Sequence, residues 1–166
     1  MGSGTGGYDF PAKTTKEIKD IISSSIPKSD QPIDKQDREP RTRNVFISFH
    51  NEDEYQVNLL RIQAKRENTG LEFRDYSVKE PIEQWRKNVR SRIETSSATI
   101  VMIGPETAKR PNVQYEIEQS YAAGKKVIGV RIYRNANDPI PEQMKRNNAP
   151  IVNWTLSEIQ AELNKD

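Results

Sequence analysis

The chain has 166 residues, with 26 Lys and Arg against 24 Asp and Glu, a net charge of +2 and no cysteine. This length fits one compact domain plus some additional chain, and the lack of cysteine excludes disulfides, thiol nucleophiles, cysteine-ligated zinc and iron–sulfur clusters. Basic and acidic residues are interleaved, and no apolar run is long enough to cross a bilayer. We therefore expect a cytoplasmic protein that binds neither nucleic acid nor membrane.

Residues 1–42 differ in composition from the rest of the chain. The stretches "GSGTGG" and "IPKSDQPIDKQDREPRTR" are too polar and too rich in Gly or Pro to bury a core, which predicts a flexible N-terminal extension. Between them, four isoleucines share one helical face and predict a short helix at about 14–26. The GxGxxG spacing in the first stretch follows no strand, so we do not interpret it as a phosphate loop.

From Asn44 onward, short β-branched runs alternate with helical patterns. The strands are predicted at 45–50, 71–76, 98–104, 125–133 and 149–154, and the helices at 52–67, 81–93, 111–126 and 155–165. Such alternation indicates right-handed crossovers and a parallel sheet covered by helices on both faces. The predicted fold of the domain at 43–166 is therefore α/β, a flavodoxin-like three-layer sandwich around a central five-stranded parallel sheet.

Ligands of such sheets bind beyond the carboxyl ends of the strands, at the point where the strand order reverses. In the flavodoxin-like order the first and third strands are neighbours, so the loops at 50–53 and 104–107 should face one crevice. Glu116 borders the apolar stripe of the following helix, near its start. A carboxylate at that position could therefore point over the crevice.

Three segments carry a resemblance to a known family. The runs "VFISFHNEDEYQVNLLR", "IVMIGPETAKRPNVQYEIEQS" and "GKKVIGVRIY" resemble the TIR-like proteins of the bacterial Thoeris anti-phage system, which have a flavodoxin-like TIR fold. The resemblance spans most of residues 44–133. It implies cleavage of NAD⁺, as substrate rather than cofactor, at the nicotinamide–ribose bond. The released cyclic or variant ADP-ribose would activate a partner effector.

Carried over by position, the catalytic glutamate of the family is Glu116. Asn112 stands four residues before it, where the family commonly has a tryptophan. One carboxylate suits this chemistry, because nicotinamide leaves as a neutral molecule and needs no general acid. Its charge can stabilise the oxocarbenium-like ribose in the transition state.

Four other residues are candidates for contacting the substrate: Ser48, Phe49, His50 and Asp53. Each also has a structural alternative. Ser48 can serve close packing, Phe49 can belong to the core, His50 can bond a loop carbonyl and Asp53 can cap the following helix. We expect no metal site, because His50 is the only histidine and cysteine is absent.

Two other functions stay open. A non-catalytic TIR-like adaptor would act by forming a homo-oligomer or by docking a partner, and a nucleoside-type glycosyl-transferring enzyme would use a similar sheet. A response-regulator receiver is excluded because Ile103 to Pro105 lack its aspartate, and the acidic "HNEDE" argues against a flavin phosphate. The same acidity means that the NAD⁺ pyrophosphate would need cationic donors, for which Arg61, Lys109 and Arg110 are candidates.

Overall fold

The computed structural model describes residues 42–74 and 81–165. The predicted extension at 1–42, with its short helix at 14–26, lies outside the described residues except for Thr42. The strands are β1 (Arg43–Ser48), β2 (Leu71–Arg74), β3 (Ala98–Ile103), β4 (Lys126–Arg131) and β5 (Ile151–Asn153). The helices are α1 (Glu54–Arg66), α2 (Ile82–Glu94), α3 (Pro111–Ala122), α4 (Glu142–Arg146) and α5 (Leu156–Leu163).

The five strands form one parallel sheet in the order β2-β1-β3-β4-β5. All six residues of β3 are buried, as expected for a continuous apolar run at the centre of a parallel sheet. The strand order reverses between β1 and β3, since the chain adds β2 on one side of β1 and β3 on the other. The predicted α/β flavodoxin-like sandwich is confirmed.

Helices cover both faces of the sheet. On one face Val45 and Ile47 pack in a cluster with α1 and α5, and on the other Phe46 packs against Trp85 of α2. This division follows from the two-residue alternation of side chains along a strand. The α3 helix lies on the same face as α2, where its apolar residues pack on β3. Ser48, the last residue of β1, therefore points toward α3.

Several predicted bounds were wrong. The helix predicted at 111–126 ends at Ala122, and the strand predicted at 149–154 spans Ile151–Asn153. β1 ends two residues earlier than predicted, so Phe49 and His50 lie in the loop that follows. No element was predicted between 133 and 149, but this stretch contains α4, which starts after Pro141 and buries Met144. A five-residue helix with one buried side chain has too few turns to show a helical period, which explains why the pattern missed it.

The edge of the sheet formed by β5 is short and partly covered. β5 has three residues, and the backbone N–H of Asn153, at its end, donates to the carboxylate of Glu158 on α5 (3.1 Å). Thr155 caps that helix, with its hydroxyl accepting from the Glu158 N–H (3.3 Å).

Gly129 in β4 provides a test of the packing between the sheet and α4. A Cβ at this position would lie 2.4 Å from Cδ1 of Ile151, 2.6 Å from Cδ1 of Ile103 and 3.1 Å from Cε of Met144. We expect Gly129→Ala to lower the free energy of unfolding by about 1–3 kcal/mol, because three packed side chains must shift. Urea denaturation measures the change.

The matched control removes one of the crowding atoms. Ile151→Val deletes the nearest Cδ1, so the double variant should be more stable than the sum of the two single changes predicts. Strict additivity of the two effects would contradict this account of the packing.

Candidate active site

Glu116 belongs to the buried face of α3. It is 7% exposed and shares that face with Val113, Ile117 and Ser120, which pack toward the sheet. Glu118, two residues further along, is exposed. A buried carboxylate is costly unless hydrogen bonds compensate it, so the surroundings of Glu116 decide how its charge is accommodated.

Ser48 provides a direct partner for that carboxylate. Its hydroxyl donates a hydrogen bond to Oε2 of Glu116, and Ser48 itself is fully buried at the end of β1. Hydrogen bonds to an ionised acceptor are roughly twice as strong as neutral ones. The contact thus joins the carboxyl end of β1 to α3 and fixes one oxygen of the carboxylate.

Two further hydroxyls hold the backbone of the same helical turn. Ser120 Oγ donates to the Glu116 carbonyl (2.7 Å) and lies 2.8 Å from Thr99 Oγ1 of β3. Because the Ser120 proton points to the carbonyl, Thr99 must donate to Ser120. Both side chains are fully buried. Sequence reasoning did not assign this pair a role, although a serine within the apolar stripe of α3 was visible.

Asp53 lies at the N-cap position of α1 without acting as its cap. Its side chain makes no capping hydrogen bond, so the alternative role expected for it is wrong. Instead the carboxylate lies against the loop after β3, where a Cβ on Gly104 would be 3.1 Å from its Oδ2. A side chain at Gly104 would therefore crowd the carboxylate of Asp53.

The loops after β1 and β3 share a cleft of about 230 Å³, as the strand order predicts. It is lined by His50, Glu52, Asp53, Gln56, Pro105, Glu106 and Tyr133. Neither Ser48 nor Glu116 is among these residues, and Phe49 packs against the core on the side of α1 and α5. The structure therefore brings Ser48 together with Glu116, and His50 together with Asp53.

Burial raises the pKa of Asp53 above its usual value of 3.8. The nearby imidazole of His50 lowers this pKa, whereas the charges of Glu52 and Asp138 raise it further. His50 Nε2 lies 3.6 Å from a carboxylate oxygen of Glu52. The cleft is thus surrounded by acidic groups, with one imidazole among them.

None of the three cations predicted to serve a pyrophosphate lines the cleft. Lys109 and Arg110 both approach the carboxylate of Glu106, at 3.2 and 4.0 Å. Arg61 donates to Asn58 (3.0 Å) and lines a groove beside β2. In the described part of the chain, no three His, Cys, Asp or Glu side chains are grouped so as to hold a metal ion.

Residues 46–137, more than half of the chain, match the model of the TIR-like domain of Thoeris protein ThsB. The chain belongs to this family. A Bacillus cereus (strain MSX-D12) relative, named as a candidate cyclic ADP-D-ribose synthase, ThsB1, is 30% identical over 99 residues. That alignment covers 54% of this chain and 52% of the relative, so the chain spans about half the length of the relative it matches.

The fold of the family is also seen in a solved structure. The TIR domain of the Toll-related receptor TRR-2 from Hydra magnipapillata superposes with a TM-score of 0.50 at 18% identity. The match covers 72% of this chain and 90% of the receptor domain. At this identity the likeness concerns the fold alone.

Within the described residues, no helix is long and apolar enough to span a bilayer.

The raised pKa of Asp53 predicts how stability depends on pH. A raised folded-state pKa means that the folded chain binds the proton of Asp53 more tightly than the unfolded chain does. The contribution of this proton to the stability of the fold is therefore fully present below pH 3.8 and is lost as pH rises through the folded-state pKa. Asp53→Asn should therefore raise the free energy of unfolding near pH 7 and change it by almost nothing near pH 3.5.

Urea denaturation at the two pH values measures this difference. Glu52→Gln is the matched control, because Glu52 lies in the same loop but is exposed, and its effect on stability should be smaller. A gain for Asp53→Asn that is equal at both pH values would show that the charge of Asp53 is not the cause.

Proposed function

We propose that the protein is a TIR-like NAD⁺ glycohydrolase or cyclase. It cleaves the nicotinamide–ribose bond of NAD⁺ and releases a cyclic or variant ADP-ribose that activates a separate effector in anti-phage defence. The observation that carries the proposal is the buried carboxylate of Glu116, hydrogen-bonded by Ser48 at the carboxyl end of β1. Membership of the Thoeris ThsB family supports it.

The chemistry needs one fixed negative charge. The bond between ribose C1′ and the pyridinium nitrogen breaks, its electron pair leaves with neutral nicotinamide, and positive charge develops on the ribose. The Glu116 carboxylate stabilises that charge, and its preorganisation by Ser48 and Ser120 avoids rearrangement during the reaction. Attack by water, which loses a proton, gives ADP-ribose, and attack by a group of the same molecule gives a cyclic product.

The name of the Bacillus cereus relative supports a cyclic product. We propose that this chain makes the same class of product in the cytoplasm, with NAD⁺ as its substrate. The nucleotide then diffuses to a separate effector, which binds it.

One observation favours the alternative function, a non-catalytic adaptor that forms homo-oligomers. Tyr55 and Ile62 are 71% and 60% exposed on α1. Their seven-residue spacing places them on one face of the helix, outside the core. Exposed apolar side chains in a row can support association of copies. Assembly and catalysis are compatible, so this surface alone does not replace the enzymatic proposal.

The decisive test is nicotinamide release from NAD⁺ by the full chain and by Glu116→Gln. We expect the variant to lose activity by a factor of about 10²–10³ or more, because the amide has no charge to stabilise the ribose cation. Release is followed by chromatography, with and without lysate of phage-infected cells, and the ADP-ribose products are identified in the same runs.

Glu118→Gln is the matched control, since it removes the same charge from an exposed position on the same helix. It should retain the activity of the unaltered chain. Equal activity of the Glu116→Gln variant and the unaltered chain, or no release by the unaltered chain in either condition, would contradict the enzymatic proposal and favour the adaptor.

Ser48→Ala tests the role of the hydroxyl. It removes the donor to Glu116 while leaving the strand intact, so we expect kcat to fall about tenfold or more through loss of orientation, with little change in KM. Ser48→Thr, which keeps a hydroxyl, should restore part of the rate. A rise in KM at unchanged kcat would instead indicate that Ser48 binds the substrate directly.

A further inference from the structure

Tyr115 in α3 is held from α2 by two different contacts. The ring of Trp85 lies against it, with the ring centroids 5.3 Å apart and the ring planes inclined by 42°. The guanidinium of Arg86 lies over the same tyrosine ring, 5.2 Å from its centroid. Aromatic pairs and cations over a ring are attractive only in particular orientations. The two contacts therefore fix the position of the Tyr115 ring relative to α2.

Trp85 also joins α2 to the strand that carries Ser48. It is buried in one cluster with Phe46 of β1, and Tyr115 packs against that cluster. Phe46 precedes Ser48 by two residues in the strand, so both side chains point to the same face of the sheet. The indole N–H of Trp85 has no hydrogen-bond partner within the described residues. Packing of the ring, rather than a hydrogen bond, thus holds Trp85 in place.

Tyr115 and Glu116 are neighbours in α3 but face different directions. Consecutive residues of an α-helix point about 100° apart, so Tyr115 meets α2 while Glu116 meets Ser48. The end of a side chain lies about 5–6 Å from the helix axis, so a rotation of α3 by about 20° would move the Glu116 carboxylate by about 2 Å. Such a movement would break the bond to the hydroxyl, because donor and acceptor must lie within about 3 Å.

The rotation of α3 is set by restraints on two of its sides. Ser120 and Thr99 hold the helix from the side of the sheet. The apolar residues of α3 add contacts on that side, but apolar contacts have no preferred direction. The contact of Tyr115 with Trp85 supplies the restraint on the side of α2.

We propose that Trp85 is a positioning residue for the candidate active site. Through Tyr115 it sets the rotation of α3, and thereby the position of the Glu116 carboxylate relative to the hydroxyl of Ser48. The importance of Trp85 for a reaction rests on the proposed function, but its effect on this hydrogen bond does not. The two proposals can therefore fail separately.

A double-mutant cycle tests the connection without any substrate. Trp85→Leu, Ser48→Ala and the double variant are compared with the unaltered chain by urea denaturation. If Trp85 positions Glu116, Trp85→Leu already weakens the hydrogen bond, so Ser48→Ala should cost less stability in that background than in the unaltered chain. An equal cost in the two backgrounds would overturn the inference. If Trp85→Leu does not fold, Tyr115→Leu breaks the same contact from a partly exposed position and should show the same coupling.

Val89→Ala is the matched control for this cycle. Val89 is fully buried one turn after Trp85 in the same cluster, so its truncation also weakens the core. It leaves the ring of Trp85 against Tyr115, so Ser48→Ala should cost as much stability in this background as in the unaltered chain. A coupling as large as that of Trp85→Leu would show a general loosening of the core and refute a specific role of Trp85.

The rate of nicotinamide release tests the consequence for the site. We expect Trp85→Leu to lower kcat about tenfold or more with little change in KM, because the carboxylate is displaced from its working position. Trp85→Phe keeps a ring against Tyr115 and should retain most of the rate, and Val89→Ala should retain it as well. Equal kcat values for Trp85→Leu and Val89→Ala would contradict the positioning role.

The two measurements keep the proposals apart. If the unaltered chain releases nicotinamide but the stability changes are additive, the inference about Trp85 is wrong and the proposed function stands. If the cycle shows the coupling and no nicotinamide is released, the proposed function is wrong and the effect of Trp85 on the hydrogen bond stands.

Discussion

The hydrogen bond between Ser48 and Glu116 is the interaction on which the arrangement of the site depends. A carboxylate in the interface between α3 and the sheet would be strongly unfavourable without a donor. The strand supplies that donor with its last residue, and Ser120 and Thr99 hold the backbone of the same turn. The carboxylate is therefore fixed relative to the sheet, which is the condition that electrostatic stabilisation of a cation requires.

The strand order places two sets of candidate site residues at the same edge of the sheet, although the two sets lie on opposite faces. Ser48 and Glu116 lie on the face covered by α2 and α3, whereas the cleft of His50 and Asp53 lies beside α1. Both lie at the carboxyl ends of β1 and β3, where the order reverses. The loops of these strands meet at Asp53 and Gly104, where a Cβ on the glycine would lie 3.1 Å from the carboxylate.

The sequence was sufficient to predict the fold, because five apolar runs and the intervening helical patterns permit few topologies. It also singled out Glu116, a charge bordering an apolar stripe. The sequence could not show that Ser48 donates to Glu116, because the two residues lie 68 positions apart and meet only in the folded chain. The side chain of Asp53 fits a helix cap equally well in sequence, and only the approach of Gly104 shows its actual environment. Gln56 and Tyr133 carry no local signal, because they line the cleft only once α1 and the loops after β1, β3 and β4 meet in the folded chain.

The short outer strand has a consequence for association between chains. An exposed sheet edge offers unpaired backbone groups to which a strand of another molecule can add. β5 presents only three residues, and Glu158 already accepts from the N–H of Asn153 at its end. This edge therefore offers few free backbone groups to which a strand of another molecule could add.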